Sequence, residues 1–358
     1  MDGVRVVFFS KSKNVVGLDI GSSAVKLVEL KEKKGGAFSL VKLGLERLSP
    51  EAIVDGSIMD SSMVVETISK LNSDKAIKNS NYATSLSGHS VIIKKITLPA
   101  MSPEELSESI QWEAEQYIPF DINDVNLDYV PLSQPGSGDN IDVILVAVKK
   151  EKINDYTSVI SQTGKVAVLV DVDAFAVQNA YEINYELEEG KVLALVNIGA
   201  SVTNVNVLSG SSSLFWRDIT FGGNQYTDAI QRELSLSFDQ AEELKRGHSV
   251  ADYTIQQVIP ILNSVSEDFA GELRKTLDFF TATSGADRVD EIVLAGGGSG
   301  VLNLDAILRD KFGIPVSIMD PFRKITVDES AFNPEELAEI APSMAIAVGL
   351  AIRKLGDA

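Results

Sequence analysis

Apolar and polar positions alternate with a period of two over residues 15–20 and again over 25–30, with Gly21 between them, which predicts two strands joined by a tight turn. A third strand is expected over 38–46. Residues 61–71 switch to helical spacing through Met63, Val64, Ile68 and Leu71, and 82–87 read as the next strand. A further strand ends at Leu98-Pro99. After it, Ser102-Pro103-Glu104-Glu105 supplies a capping serine, a first-turn proline and a glutamate at the third helical position. The helix so started is expected to run to Pro119, with Leu106, Ile110, Ala114, Tyr117 and Ile118 on its apolar face and Trp112 opposite, among Glu104, Glu108 and Glu115. Strands over 126–132 and 141–148 flank a Gly/Ser/Pro loop at 133–139.

The hairpin recurs. Leu18-Asp-Ile-Gly-Ser-Ser-Ala-Val25 and Val196-Asn-Ile-Gly-Ala-Ser-Val-Thr203 are near copies, each a buried strand, a glycine turn and a second strand. In the second half Gly222-Gly223 lead into a helix bearing Tyr226, Ile230 and Leu234, followed by a long helical stretch over 258–283. A short strand at 291–295 runs into Gly296-Gly297-Gly298-Ser299-Gly300, and a helix follows over 304–312. The closing helix, 342–354, is small and apolar through Ala345, Ala347, Val348, Gly349 and Ala351, which suits tight packing at an interlobe hinge. The expected organisation is α/β in two lobes. The first lobe covers 1–89 and returns at 169–189, around an inserted αβ subdomain at 90–168. The second covers 190–340 with a helical part at 225–290, and the closing segment 341–358 packs back on the first lobe.

Composition narrows the chemistry. No cysteine is present, which excludes disulfides and thiolate sites, and only His89 and His248 are available, so zinc chemistry is nearly excluded. A net charge of −19 argues against a nucleic-acid partner, which would need clustered Lys and Arg. No apolar run reaches membrane-spanning length and no signal-peptide pattern opens the chain, so a cytoplasmic protein is expected. The stretch 4–9 with Lys11 and Lys13 is apolar then basic, and reads as an edge strand with a solubilising tail or as a weak membrane-surface contact.

In each turn the backbone N–H groups of Gly21, Ser22 and Ser23, or of Gly199, Ala200 and Ser201, are placed to meet a phosphate, with serine hydroxyls as further donors. Lys26 is positioned to reach back as a point charge, and Asp19 stands at a strand end where hydrated Mg²⁺ would be held. The glycines at 296–298 follow a strand and precede a helix, which would let a nucleotide approach the backbone. Neither a dinucleotide fingerprint nor a P-loop is present. Glu242 and Lys245, three apart on a helix, read either as a ribose and base contact or as a solvated ion pair.

These motifs together resemble the actin, heat-shock chaperone and sugar-kinase superfamily, whose ribonuclease H-like lobes bind ATP or ADP between them. Asp19-Ile-Gly-Ser-Ser with Lys26 resembles its first phosphate loop and Asn197-Ile-Gly-Ala-Ser-Val-Thr203 its second. Ala295-Gly-Gly-Gly298 is similar to its adenosine motif, Ala241-Glu-Glu-Leu-Lys245 to the base-flanking helix, and Asp171-Val-Asp173-Ala-Phe-Ala176 to the first interlobe connection. The resemblance assigns Thr203, Gly222 and Gly223 to the nucleotide site as well. Residues 16–23 with 98–105 and 112–120 resemble the PilM family, FtsA-like proteins of the type IV pilus assembly platform. This implies a cytoplasmic protein, peripheral on the inner membrane, whose FtsA-like insertion and first lobe form a groove for the N-terminal tail of a PilN-like membrane protein. The pilus ATPases and a PilC-like platform protein would lie nearby, and self-association is open. Trp112 is the candidate partner contact.

Where the superfamily has a carboxylate this chain has Asn197, so slow or absent hydrolysis is expected, with Asp173 as the group that would orient water. Two alternatives stand beside this reading. A small-molecule kinase would need an acceptor signature that the chain lacks, and an FtsA-like filament protein would carry a C-terminal amphipathic helix not seen after Lys354-Leu355.

Overall fold

The computed structural model describes residues 14–132, 139–250, 253–284 and 288–354. The apolar-basic stretch before Asn14, nearly all of the 133–139 loop and the chain after Lys354 lie outside the described residues. The first half runs β1 (Val16–Ile20), β2 (Ala24–Glu32), β3 (Phe38–Arg47), a small hairpin β4 (Ile53–Val54) and β5 (Ser57–Ile58), α1 (Ser61–Asp74), β6 (Asn81–Leu86) and β7 (Val91–Pro99). It continues with α2 (Pro103–Glu115), β8 (Val125–Pro131), β9 (Asn140–Lys149), α3 (Lys150–Gln162), β10 (Val166–Val172) and α4 (Asp173–Asn184). The second half has β11 (Val192–Ile198), β12 (Thr203–Ser209), β13 (Ser212–Ile219), α5 (Gly223–Leu234), α6 (Phe238–Lys245) and α7 (Ile255–Ser284). After these come β14 (Glu291–Ala295), α8 (Leu304–Phe312), β15 (Val316–Ile318), α9 (Pro334–Ile340) and α10 (Ala345–Ala351).

The two halves repeat one topology. The first sheet has the order β10-β6-β1-β2-β3 and the second β13-β12-β11-β14-β15, so each is a three-stranded antiparallel meander whose first strand also pairs in parallel with a later strand. Central strands covered on both faces should be apolar throughout, and β1 is buried at every position. Its alternate residues serve two layers. Val16, Leu18 and Ile20 pack outward with Val64, Ile68 and Leu71 of α1 and with Tyr156, Val159 and Ile160 of α3. In the second sheet Ala194, Val196 and Ile198 face α5, α7 and α8, while Leu193 and Leu195 face inward.

The inner faces of both sheets share one core. Val28, Leu30 and Ala83 of the first sheet and Leu193, Leu195 and Val293 of the second close on α4 and α10. These helices are built from small residues because the layers meet backbone to backbone. A Cβ on Gly349 would stand 1.7 Å from the carbonyl oxygen of Ala176 in α4, and one on Gly17 of β1 would stand 2.0 Å from that of Ala347. Beyond the end of α10 Arg353 pairs with Asp171 of β10 at 2.5 Å. Burial pushes the Asp171 carboxyl upward, against the opposing pull of Arg353. The closing helix is shorter than its sequence pattern suggests, a 3-10 turn over Ala341–Met344 preceding it.

The insertion is a three-stranded sheet, β7-β9-β8, with α2 laid across it. The expected capping box is formed, Ser102 and Glu105 exchanging hydrogen bonds. Two expectations are corrected. The helix ends at Glu115 rather than at Pro119, because Pro119 disfavours helical geometry at Ile118 and the chain closes with bonds from Tyr117 and Ile118 N–H to the carbonyl of Ala114. Tyr117 thereby leaves the apolar stripe and is exposed, while Leu106, Ile110, Ala114 and Ile118 are buried. The insertion layer also stops at Lys149, short of 168, since α3 packs on the first lobe and β10 pairs in parallel with β6. Trp112 is 73% exposed. No helix among the described residues is long and apolar enough to cross a membrane.

Gly349→Ala is expected to lower stability by about 1–3 kcal/mol, the usual cost of overpacking, because its Cβ collides with backbone that cannot rotate away. Gly271→Ala, in α7 with nothing within 4 Å of its Cβ position, is the control expected to be neutral or slightly stabilising. Urea unfolding of both variants makes the comparison.

Candidate functional site

The inner faces stop being apolar where the sheets part. On the face that carries Gly17, β1 ends in Asp19, and on the face that carries Leu195, β11 ends in Asn197, so the duplicated strands deliver these two residues to equivalent places. Each strand then turns through its glycine, and the turns face one another across the lobes with Ser201 Oγ donating to Ser22 Oγ at 3.0 Å. Gly21 N–H donates to Ala24 O and Gly199 N–H to Val202 O, so these two amides are spent inside the turns. This corrects the expectation that both glycines offer donors to a phosphate. The donors left are the amides and hydroxyls of Ser22 and Ser23 in the first turn and the amides of Ala200 and Ser201 in the second.

Asp19 and its register partner Lys26 form a bond of 2.7 Å, with side chains 7% and 15% exposed. Removing one partner of such a pair strands a buried charge at a cost of about 3–5 kcal/mol. Lys26 is therefore anchored by Asp19, which takes one of its three ammonium donors, and its side chain still lines the cleft. The equivalent pair in the second lobe is neutral. Asn197 Nδ2 donates to Asn204 Oδ1 at 2.9 Å, and Asn204 Nδ2 donates to Asp218 Oδ1 at 2.8 Å. Across the cleft Gly88 N–H donates to Asp218 Oδ2 at 2.7 Å.

Asp173, the first residue of α4, lies beneath the first turn and accepts a bond from Ser85 Oγ at 2.6 Å. Burial, then the charge of Asp19, pushes its pKa up to about 6, against hydrogen bonds from Ser85 and Ser87 that favour the charged form.

The second turn is wedged between glycine loops. A Cβ on Gly222 would lie 2.5 Å from the carbonyl oxygen of Ala200, and Gly296 has φ +84 with its Cβ position 2.3 Å from that of Ile198. The missing side chains thus let chain pack on chain at these two positions and at Gly298, where a Cβ would lie 2.4 Å from Ile198 Cγ2, while Gly297 and Gly298 also line the open cleft. Thr203 is fully buried and bonds Phe221 O at 2.7 Å, fixing the strand behind the turn. Lys245 Nζ donates to Thr227 Oγ1 at 2.8 Å and to Gly223 O at 3.2 Å, and pairs with Glu242, which also accepts from Thr227. The structure thus joins Glu242 and Lys245 to each other and pins α6 to the start of α5, with both residues still at the cleft wall.

The cleft measures about 1400 Å³ and is lined by Ser22, Ser23, Lys26, Gly199, Ala200, Gly223, Glu242, Lys245, Gly297 and Gly298 among the expected residues. This is ample room for a nucleotide-sized ligand. Its walls also carry Lys42, Arg47, Lys75 and Arg246 against Asp74, Asp239, Glu336 and Glu339, so cations and acids balance there although acids outnumber Lys and Arg 51 to 32 in the chain. With Lys26, Lys245 and Glu242 counted as well, six cations face five acids, so an anionic ligand meets a wall without the chain's overall negative excess. Asp19, Gly21, Asn197, Ser201, Thr203, Gly222, Gly296 and Asp173 border the cleft without being among its lining residues, and Trp112 sits apart on the insertion. The sequence reading missed Asp218, Ser85 and Arg47. Only Asp218 left a signal, one register step from Asn204 on the third strand of the repeat.

Residues 17–355 match the family described as type IV pilus assembly protein PilM. A solved structure described as a PilM–PilN type IV pilus biogenesis complex is 31% identical with TM-score 0.85, covering 95% of this chain and 98% of that one. MreB5 of Spiroplasma citri bound to ADP aligns with TM-score 0.52 at 13% identity over 94% of this chain and 95% of its own, a likeness of fold. The cell shape-determining protein MreB of Pasteurella multocida (strain Pm70) is 23% identical over an alignment of 159 residues that covers 35% of this chain and 45% of that protein, so the match spans under half of it. The two-lobed α/β architecture is actin-like, and the chain belongs to the type IV pilus assembly protein PilM family.

Proposed function

We propose that this protein is a nucleotide-binding scaffold of type IV pilus assembly, which takes ATP or ADP with Mg²⁺ between its lobes and docks the N-terminal tail of a PilN-like membrane protein. The observation that carries the nucleotide half is the pair of opposed turns at the end of a 1400 Å³ cleft. The partner half rests on family membership and on the partner named for the related complex. In this reading Ser22, Ser23, Ala200 and Ser201 hold phosphate oxygens, Gly297 and Gly298 flank the adenosine, and Glu242 and Lys245 stand beside the ribose and base. Among the described residues no three His, Cys, Asp or Glu are grouped to hold a metal. Mg²⁺ would then be held through Asp19, phosphate and water, as suits an ion that keeps its hydration.

Asn197 turns its amide N–H₂ toward Asn204, so the second turn contributes no negative charge to polarise a water. Asp173 is the remaining base and is already engaged by Ser85. Turnover is therefore slow, and the nucleotide acts as a structural ligand that stabilises the closed lobes by mass action. The protein works at the cytoplasmic face of the inner membrane, held there by its partner, with Trp112 as a contact on the insertion.

Calorimetry is expected to give saturable Mg-ATP binding, with Ala200→Glu weakening it at least about tenfold at unchanged melting temperature and turnover below about 0.1 per second. Absence of binding by the wild type overturns the reading. In a Trp216→Phe background, a synthetic PilN-type N-terminal peptide is expected to shift Trp112 emission to the blue, and an unmoved spectrum at saturation excludes Trp112 from the contact. The raised pKa of Asp173 also sets a sign. The native state holds a proton that the unfolded chain has lost between about pH 4 and pH 6, so this group's contribution to stability falls as pH rises through that window. Asp173→Asn is expected to flatten the melting curve against pH there and to raise stability of the nucleotide-free protein at pH 7.5.

A further inference from the structure

The insertion joins the first lobe through only two chain crossings, one at residues 87–90 between β6 and β7 and one where β9 passes into α3 at Lys149. The crossings are tied together, Lys149 N–H donating to Ser90 O at 3.1 Å and Val91 N–H to Gly88 O at 3.0 Å. Into this root reaches a residue of the other lobe, since Gly88 N–H donates to Asp218 Oδ2. Asn197, Asn204 and Asp218 occupy one register row across β11, β12 and β13, bonded side chain to side chain, and Asn197 stands two residues before the turn glycine Gly199. The row thus spans from the second phosphate turn to the root of the insertion.

We propose that Asp218 is a positioning residue that transmits lobe closure to the insertion, and so couples nucleotide in the cleft to the peptide docked on the insertion. The inference rests on the reading of the preceding section. Asn197 and Asn204 are buried within the central strands, so the row moves with its sheet as one body. Asp218 itself is exposed, and an exposed charged hydrogen bond exchanges with water at little cost, as a contact that forms and breaks requires. Gly88 has φ +83 with nothing within 4 Å of its Cβ position, so no packing at Gly88 itself competes with Asp218, although Val91, Val146 and Val148 seat the neighbouring strands on the first lobe's core. When the second turn is drawn toward the first, the carboxylate carries the Gly88 amide with it.

The test measures affinity for the PilN-type peptide with and without saturating Mg-ATP. In the wild type the two dissociation constants are expected to differ by at least about fivefold, the lower end of ordinary coupling between sites. Asp218→Leu is expected to bring the ratio to about one while ATP affinity, measured alone, stays within about threefold. Asp218→Asn has one oxygen for two donors and is expected to give an intermediate ratio. Hydrogen exchange over residues 85–91 supplies a second readout, with ATP-dependent protection in the wild type that Asp218→Leu lacks. A wild-type ratio retained by Asp218→Leu, or a ratio of one in a wild type that binds both ligands, overturns the proposal. A wild type that fails to bind ATP or peptide at all overturns the reading beneath it instead.

Discussion

Two glycines allow α10 to lie with its backbone against β1 on one side and α4 on the other, and the geometry of the cleft depends on that contact. Side chains at Gly17 or Gly349 would force the layers apart, because the atoms they would meet are backbone carbonyls that cannot rotate away. The apolar wedge of α4 and α10 closes the two sheets at one end and leaves them open at the other. Where the wedge ends, the inner faces present Asp19 and Asn197, and the turns that follow are brought close enough for Ser22 and Ser201 to bond. A scaffold that must hold two lobes at a fixed spacing gains from a backbone contact at the pivot, which has no rotamers to relax into.

Polar groups in the cleft are arranged in closed sets. Asp19 is matched by Lys26, Glu242 by Lys245 and Thr227, Asp173 by Ser85, and Asn197 by Asn204. Such closure is what burial demands, since an unpartnered charge in a low-dielectric setting costs more than a surface pair ever returns. It also means that several residues whose types suggest direct ligand contact act first on their protein neighbours. The duplicated fold makes the contrast between lobes plain: the same register positions hold an acid and a base in the first lobe and two amides in the second. The charge on the second side sits one strand further out, on Asp218.

Much of this was legible in the chain. The period of two around residues 15–30 and its recurrence after 191 mark the strands, and the near-identical turns mark the relation between the lobes. The capping box followed from Ser102 and Glu105, and helical spacing placed Trp112 on the polar face, where the usual burial of tryptophan argued for cover by another part of the chain that the structure does not supply. The failures share a cause. Tyr117 left its stripe because a proline two residues on changed the local backbone, and α3 belongs to the first lobe rather than the insertion because packing partners far away in sequence claimed Tyr156, Val159 and Ile160.

By itself the sequence determined the elements, their pairing within each hairpin, the glycine turns and the residue types at the strand ends, because these depend on backbone preferences and on contacts between near neighbours. Tertiary structure alone decided what those side chains are free to do. Gly21 and Gly199 spend their amides locally, Lys26 is held by Asp19, and Gly222 and Gly296 make room for chain rather than for ligand. Asp218 became significant only when the lobes closed and set it against Gly88, 130 residues away in the chain. Hydrogen bonds and ion pairs act over a few ångströms, so which partner a polar side chain finds is settled by the approach of distant segments, a quantity that no local pattern encodes.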